Sequence, residues 1–270
     1  MTPPAAGKGQ RYEDLDWYEA PEDYDAIYDV DTAQEADFLE AVFEEYATPG
    51  RGRRVLEPAC GSGRLLAAMA ERGWRVRGFD LGEAMVRFSR QRLREAGLAG
   101  TVVQADMSAF ETPGTFDLAH CLVSTFKYLL TEAAARAHLR SVARALRPGG
   151  VYALGFHLSR YGAQRKAHER WTAERNGATV DCKVTTWPPA PSTRREKVEA
   201  RMRVRGQGTE RRSRTEWEFR TYDAGQVRDL LRGVPELEHV GTYDFHYEVD
   251  EPLELSDEQL DTLLVLRRRP

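Results

Sequence analysis

The chain is poor in the features that would place it outside a cell or in a membrane. Cysteine is scarce: Cys60, Cys121 and Cys182 are the 3 among 270 residues. They are too few and too scattered for a disulfide framework or a zinc site, as a reducing compartment explains. No apolar run approaches the roughly 18 residues that span a bilayer, and the amino-terminal stretch has no apolar core of a signal peptide. These absences predict a soluble, cytoplasmic protein with no membrane partner. No cluster of histidines and carboxylates matches a magnesium or zinc site, so no metal is expected. Lysine is rare too, and Glu13 to Glu45 contains neither lysine nor arginine, whereas residues 194–214 are dense in arginine. The acidic and basic stretches could meet in the fold. A basic run can also attract phosphate or nucleic acid, although a solvated sheet face is the simpler explanation.

What is present is enough apolar material, 41% of residues, for one main domain with an appendage. Residues 1–12 read as a leader without periodicity. From Asp31, the residues Ala36, Phe38, Leu39, Val42, Phe43 and Tyr46 fall at helical spacing, with Gly50 as a stop. Strands then alternate with helices: strand 54–58, helix 64–72, strand 75–80, helix 83–96, strands 101–105 and 116–122, helix 131–146 and strand 150–156. This order predicts an α/β fold, Rossmann-like and doubly wound, whose ligands bind at the carboxyl ends of the strands. After Leu158 the period changes to two, near 168–175, 178–187, 196–205 and 211–221. Asn176-Gly177 is a type I′ hairpin signal, and Gly206-Gln207-Gly208 marks a second turn. An antiparallel β subdomain, 159–221, is therefore expected as an insertion after the fifth strand. A helix near 223–233 and strands near 237–248 and 260–268 complete a mostly parallel seven-stranded sheet built from 13–158 and 222–270.

Val55-Leu56-Glu57-Pro58-Ala59-Cys60-Gly61-Ser62-Gly63-Arg64 puts two glycines between a strand and a helix. Glycines let backbone approach a ligand closely, and the helix amino terminus offers free N–H donors. A dinucleotide site would want Gly or Ala three residues after Gly63, where Leu66 stands. Glu57 would also repel a pyrophosphate, whereas it suits a zwitterion carrying an ammonium group.

This loop resembles motif I of the class I S-adenosylmethionine (SAM)-dependent methyltransferases. The remaining motifs follow in order: Arg75–Asp80 with Leu81 is similar to motif II, Val103-Gln104-Ala105-Asp106-Met107 to the third-strand motif, Phe116–Cys121 to the fourth strand, and Leu146-Arg147-Pro148-Gly149-Gly150 to the turn before the fifth. The resemblance implies SAM as cofactor. It implies contacts from Glu57, Ala59, Cys60, Gly61 and Gly63, ribose hydroxyls on Asp80, and adenine beside Leu81, Asp106 and Met107. Met85 and Cys121 are implied as further cofactor contacts.

EPACGSG is also similar to the DPACGSG of adenine-specific DNA methyltransferases. Those enzymes hold a flipped base with a polar-Pro-Pro-aromatic motif after the fourth strand. Here that segment reads Leu122-Val123-Ser124-Thr125-Phe126-Lys127-Tyr128, and Pro188-Pro189 lies far downstream, so nucleic acid is disfavoured. A protein that binds SAM only to regulate a partner is a further alternative. The Tyr24-Asp25-Ala26-Ile27-Tyr28 pattern, with the late insertion, resembles small-molecule N-methyltransferases of the amino-sugar and glycine type. That likeness implies an amino-terminal lid carrying Tyr24 and Tyr28, a small amine acceptor, and a homodimer through the inserted sheet. Tyr128 and His157, after strands four and five, are the expected catalytic residues; Trp171 and His246 could line the substrate wall. A basic edge at Arg201, Arg203 and Arg205 could hold a phosphate of a nucleotide-linked sugar.

Overall fold

A computed structural model describes residues 12–48, 52–112, 115–206 and 208–270. The expected leader lies outside the described residues apart from Tyr12, as do Gly50 and Gln207. The chain forms strand β1 (Glu13–Asp14), helices α1 (Pro21–Tyr28) and α2 (Thr32–Tyr46), β2 (Arg54–Pro58), α3 (Arg64–Glu71), β3 (Arg75–Asp80), α4 (Glu83–Glu95), β4 (Gly100–Gln104), β5 (Phe116–Cys121), α5 (Glu132–Ala145) and β6 (Leu146–His157). The hairpin strands β7 (Ala167–Arg175), β8 (Ala178–Thr186), β9 (Arg195–Gly206) and β10 (Thr209–Arg220) follow, then α6 (Ala224–Arg232), β11 (Leu237–Tyr243) and β12 (Asp261–Arg268).

The main sheet has the order β11-β12-β6-β5-β2-β3-β4, with β12 antiparallel to both β11 and β6 and β2, β3, β4, β5 and β6 parallel to their neighbours. Its parallel strands are apolar on both faces because helices cover both. Leu139, Val142, Val227 and Leu230 of α5 and α6 pack on one side, and Leu39, Val42, Leu66, Met69, Val86 and Leu93 of α2, α3 and α4 on the other. The chain leaves β2 toward β3 and returns to β5 on the opposite flank, so the switch point lies between β2 and β5. Ligand crevices of open α/β sheets form there.

The second sheet runs β1-β10-β9-β8-β7. Asn176 and Gly177 take φ of 51° and 74°, the left-handed pair that a type I′ turn demands. The expected boundary needs one correction. Residues 13–28 belong structurally with the inserted sheet: β1 pairs in parallel with β10, and Trp17, Ala26 and Ile27 bury themselves against Val180, Cys182, Val184 and Met202. The physical reason is the alternation in β8 and β9, which gives that sheet one apolar face needing a cover. The acidic stretch meets the arginine-rich one here, through Asp14 with Arg214 at 2.7 Å and Asp23 with Arg211 at 2.8 Å. Asp25, fully buried, ties α1 to Arg92 of α4 and to Arg175 of β7 at once.

Candidate functional site

Two loops leave the switch point. In the first, Ala59, Gly61 and Gly63 have φ of 55°, 51° and 72°, a tight left-handed path that ends in α3. The Gly61 N–H donates to Asp80 Oδ2 at 2.8 Å, and the Gly82 N–H to Asp80 Oδ1 at 2.8 Å. Gly63 serves packing instead: a Cβ there would lie 2.0 Å from Ser89 Oγ, so it lets α3 seat against α4 and does not open onto the cleft. In the second loop, Val123 and Ser124 take φ of 58° and 66°, a strained conformation for a β-branched residue and one common at functional sites. Ser124 Oγ accepts the His157 N–H at 3.1 Å. The reversal presents Lys127 and Tyr128, in the short turn Thr125–Tyr128.

The cleft beneath the glycine loop is lined by Tyr24 and Tyr28 from α1, by Glu57, Ala59, Cys60 and Gly61, and by Cys121 from β5. Glu57 is buried, and its Oε2 has no hydrogen-bond partner among the described residues. Burial pushes its carboxyl well above the usual range, with the nearby Arg64 opposing the shift. Arg64 is itself paired to Glu35, which also accepts the Tyr247 hydroxyl at 3.0 Å. His120 lies 3.9 Å from Glu57 with both ring nitrogens unpartnered among the described residues. Burial lowers it to about 3, so it is neutral. A buried acceptor without a donor is costly, and an ammonium group entering this cleft would satisfy it.

The other expected cofactor residues stand beside the cleft rather than in it. Ala105 donates to the Asp80 carbonyl at 3.0 Å, which brings the ends of β3 and β4 together. Asp80 has its carboxyl raised by burial, against the pull of the backbone donors. Leu81 is 67% exposed, a large apolar surface at the strand end where a flat ring could lie. Met85 is buried next to Gly82. Asp106 is exposed and accepts the Ser108 N–H at 2.7 Å, while the Met107 carbonyl contacts Nδ1 of the buried His138 at 2.8 Å.

Tyr24, Tyr28, Val123 and Thr125 also line a larger cavity of about 590 Å³, so cleft and cavity adjoin. Its inner wall is aromatic. Trp17 meets Tyr24 edge-on at 5.3 Å and Trp217 at 4.8 Å, and the hydroxyls of Tyr18 and Tyr128 are 2.7 Å apart. Burial raises the phenols of Tyr18, Tyr24, Tyr28 and Tyr128, keeping them neutral. At the opposite side His157 Nδ1 lies 2.7 Å from Asp261; that bond lowers the Asp261 carboxyl. Tyr128 and His157 thus share one cavity. Trp171 lines it too, whereas His246 lies outside, its N–H donating to Asp244. Sequence reasoning missed Trp17, Tyr18, Trp217 and Phe219. Two adjacent aromatics in an otherwise acidic stretch were a signal for Trp17 and Tyr18. Arg201, Arg203 and Arg205, expected as a possible phosphate edge, each hold a carboxylate instead, of Glu199, Glu210 and Asp181 respectively.

Residues 55–150 match the methyltransferase domain family, and the sheet around them has the order described above. That stretch is a methyltransferase domain, and its sheet has the Rossmann-like, class I order. It is 38% identical over 101 residues, 37% of this chain, to the ubiquinone biosynthesis O-methyltransferase of Pseudomonas aeruginosa (strain UCBPP-PA14). The match covers 42% of that protein, so the chain spans less than half the length of this curated relative. In solved structures, an S-adenosylmethionine-dependent methyltransferase from Clostridium acetobutylicum superposes with a TM-score of 0.76 at 18% identity, covering 94% of this chain and 99% of that one. The sugar N-methyltransferase KedS8 from Streptoalloteichus sp. does so with 0.72 at 23% identity, covering 100% and 99%. These are likenesses of fold, and they extend beyond the methyltransferase domain to the inserted sheet.

Proposed function

We propose that the chain transfers a methyl group from SAM to an amine on a small, hydroxyl-bearing molecule. The observation that carries this reading is the adjoining of the two spaces at Tyr24 and Tyr28, with the unpartnered Oε2 of buried Glu57 in one and an aromatic wall in the other. SAM supplies an electrophilic methyl on a sulfonium. Glu57 would hold its ammonium, Asp80 its ribose, and Leu81, Asp106 and Met107 its adenine. The aromatic rings exclude water and favour a cation by about 0.5–2 kcal/mol. Transfer forms the nitrogen–carbon bond and breaks the carbon–sulfur bond, leaving S-adenosylhomocysteine and a proton to be removed. Asp261 keeps the proton of His157 on Nδ1, which leaves Nε2 as acceptor for that proton. The fold likeness to a sugar N-methyltransferase supports an amino-sugar acceptor, and the size of the cavity supports a small molecule over a polynucleotide. The same His–Asp pair also suits a hydroxyl acceptor, which must lose its proton before attack.

Calorimetry with SAM, S-adenosylhomocysteine and a nicotinamide dinucleotide tests the cofactor. Binding of the first two in the micromolar range is expected, and binding of the dinucleotide alone would sink the reading. Labelled-methyl transfer across panels of amines, phenols and single-stranded DNA tests the acceptor. Incorporation into DNA alone, or cofactor binding with no transfer to any panel, would replace it with one of the alternatives.

A further inference from the structure

Lys127 and Glu196 form an ion pair at 2.6 Å inside the wall of the larger cavity, with both side chains almost fully buried. They come from elements far apart in sequence. The left-handed reversal at Val123 and Ser124 turns Lys127 inward, and the β9–β10 register places Glu196 opposite Phe219. The Lys127 ammonium lies over the Phe219 ring at 5.2 Å. Removing both charges from water is costly, and apolar side chains of similar volume often hold a fold equally well. The other ion pair of this cavity, His157 with Asp261, is about half exposed, whereas this one is buried, and among the described residues the Glu196 carboxylate accepts a single hydrogen bond while it has room for several.

We propose that Lys127 and Glu196 are the specificity-determining pair of the acceptor cavity, fixing a hydroxyl group that neighbours the reacting amine. This rests on the acceptor reading above. A hydroxyl can donate to the carboxylate and accept from the ammonium at the same time, so one group completes the bonding of both charges. An amine without that hydroxyl would strip water from the pair and return nothing. Sites built to bond a substrate hydroxyl reject its deoxy analogue far more strongly than apolar pockets reject a missing methylene.

The probes are D-glucosamine and cyclohexylamine, six-membered-ring amines with and without hydroxyls, titrated by calorimetry into protein saturated with S-adenosylhomocysteine. The wild type is expected to favour glucosamine by about tenfold or more, and Glu196→Gln to lose most of that preference. The double variant Lys127→Met, Glu196→Leu replaces the pair with apolar bulk. It is expected to melt close to the wild type and to bind the two amines within about twofold of each other. A purely structural pair would leave the preference intact in the double variant, and that result overturns the proposal. So does a wild type that binds both amines equally or binds neither. Loss of S-adenosylhomocysteine binding by the wild type would instead overturn the methyltransferase reading.

Discussion

The two ends of the site are made differently. The end proposed for the cofactor is built from backbone donors and isolated buried polar groups supplied within about 70 residues of chain, with Glu57 Oε2 and both ring nitrogens of His120 left without hydrogen-bond partners among the described residues. The end proposed for the acceptor is built from side chains brought together across nearly 250 residues, from Trp17 to Asp261, and it holds two ion pairs, Lys127 with Glu196 and His157 with Asp261. A site for one invariant ligand can carry unsatisfied groups that the ligand completes. A site that must admit one acceptor and exclude others has its polar groups already oriented.

Five variants bear on that contrast, in decreasing size of effect. Asp80→Ala should weaken SAM binding by about a hundredfold or more. It removes an acceptor of two charge-assisted bonds, worth about 1.5–3 kcal/mol each, and also frees the Gly61 and Gly82 N–H groups. An affinity within threefold of wild type, read by calorimetry, would take Asp80 out of the site.

Glu57→Gln should weaken SAM about tenfold and at the same time stabilise the ligand-free protein. The folded-state pKa of Glu57 is raised, so the neutral form is favoured in the fold. That stability is complete below the ordinary glutamate range, about pH 4.3, and is lost as pH rises through the raised value. The variant should therefore melt about 2–4 °C above wild type at pH 8 and level with it at pH 4. A lower melting temperature at pH 8 would mean that Arg64 fully compensates the charge.

At the acceptor end, His157→Ala should lower kcat/KM about tenfold, and Tyr128→Phe about threefold, with SAM affinity unchanged in both. Changed SAM affinity would erase the division between the two ends. The smallest effect is expected from Arg203→Ala on the paired outer sheet. Turnover should stay within twofold, and a larger loss would revive the phosphate edge that the ion pairs argue against.

Legibility from sequence followed the same division. The glycine loop and the alternation of strands and helices could be read because parallel strands and their following turns impose local residue types. The Asn176-Gly177 hairpin was legible for the same reason. The aromatic wall was not, since Trp217 and Phe219 look like ordinary alternating sheet residues, and only the docking of Trp17 onto that sheet reveals which face they serve. The parallel pairing of β1 with β10 was invisible too: two residues carry no period. The fate of Arg201, Arg203 and Arg205 depended on Glu199, Glu210 and Asp181 lying beside or across from them, which is a question of register.

Asp25 gives the molecule a common hinge pin. One carboxylate is shared by Arg92 on the nucleotide-side layer and Arg175 on the acceptor-side sheet, and the helix that bears it also lays Tyr24 over Gly61. The gap left under that helix is about 40 Å³, little more than the share of one water in the liquid. A nucleoside held there would have to displace the helix, which is joined to one layer through Arg92 and to the other through Arg175 and Arg211. Any displacement of that helix is therefore transmitted to both layers together, and because the shared carboxylate is buried the coupling is only weakly screened by salt.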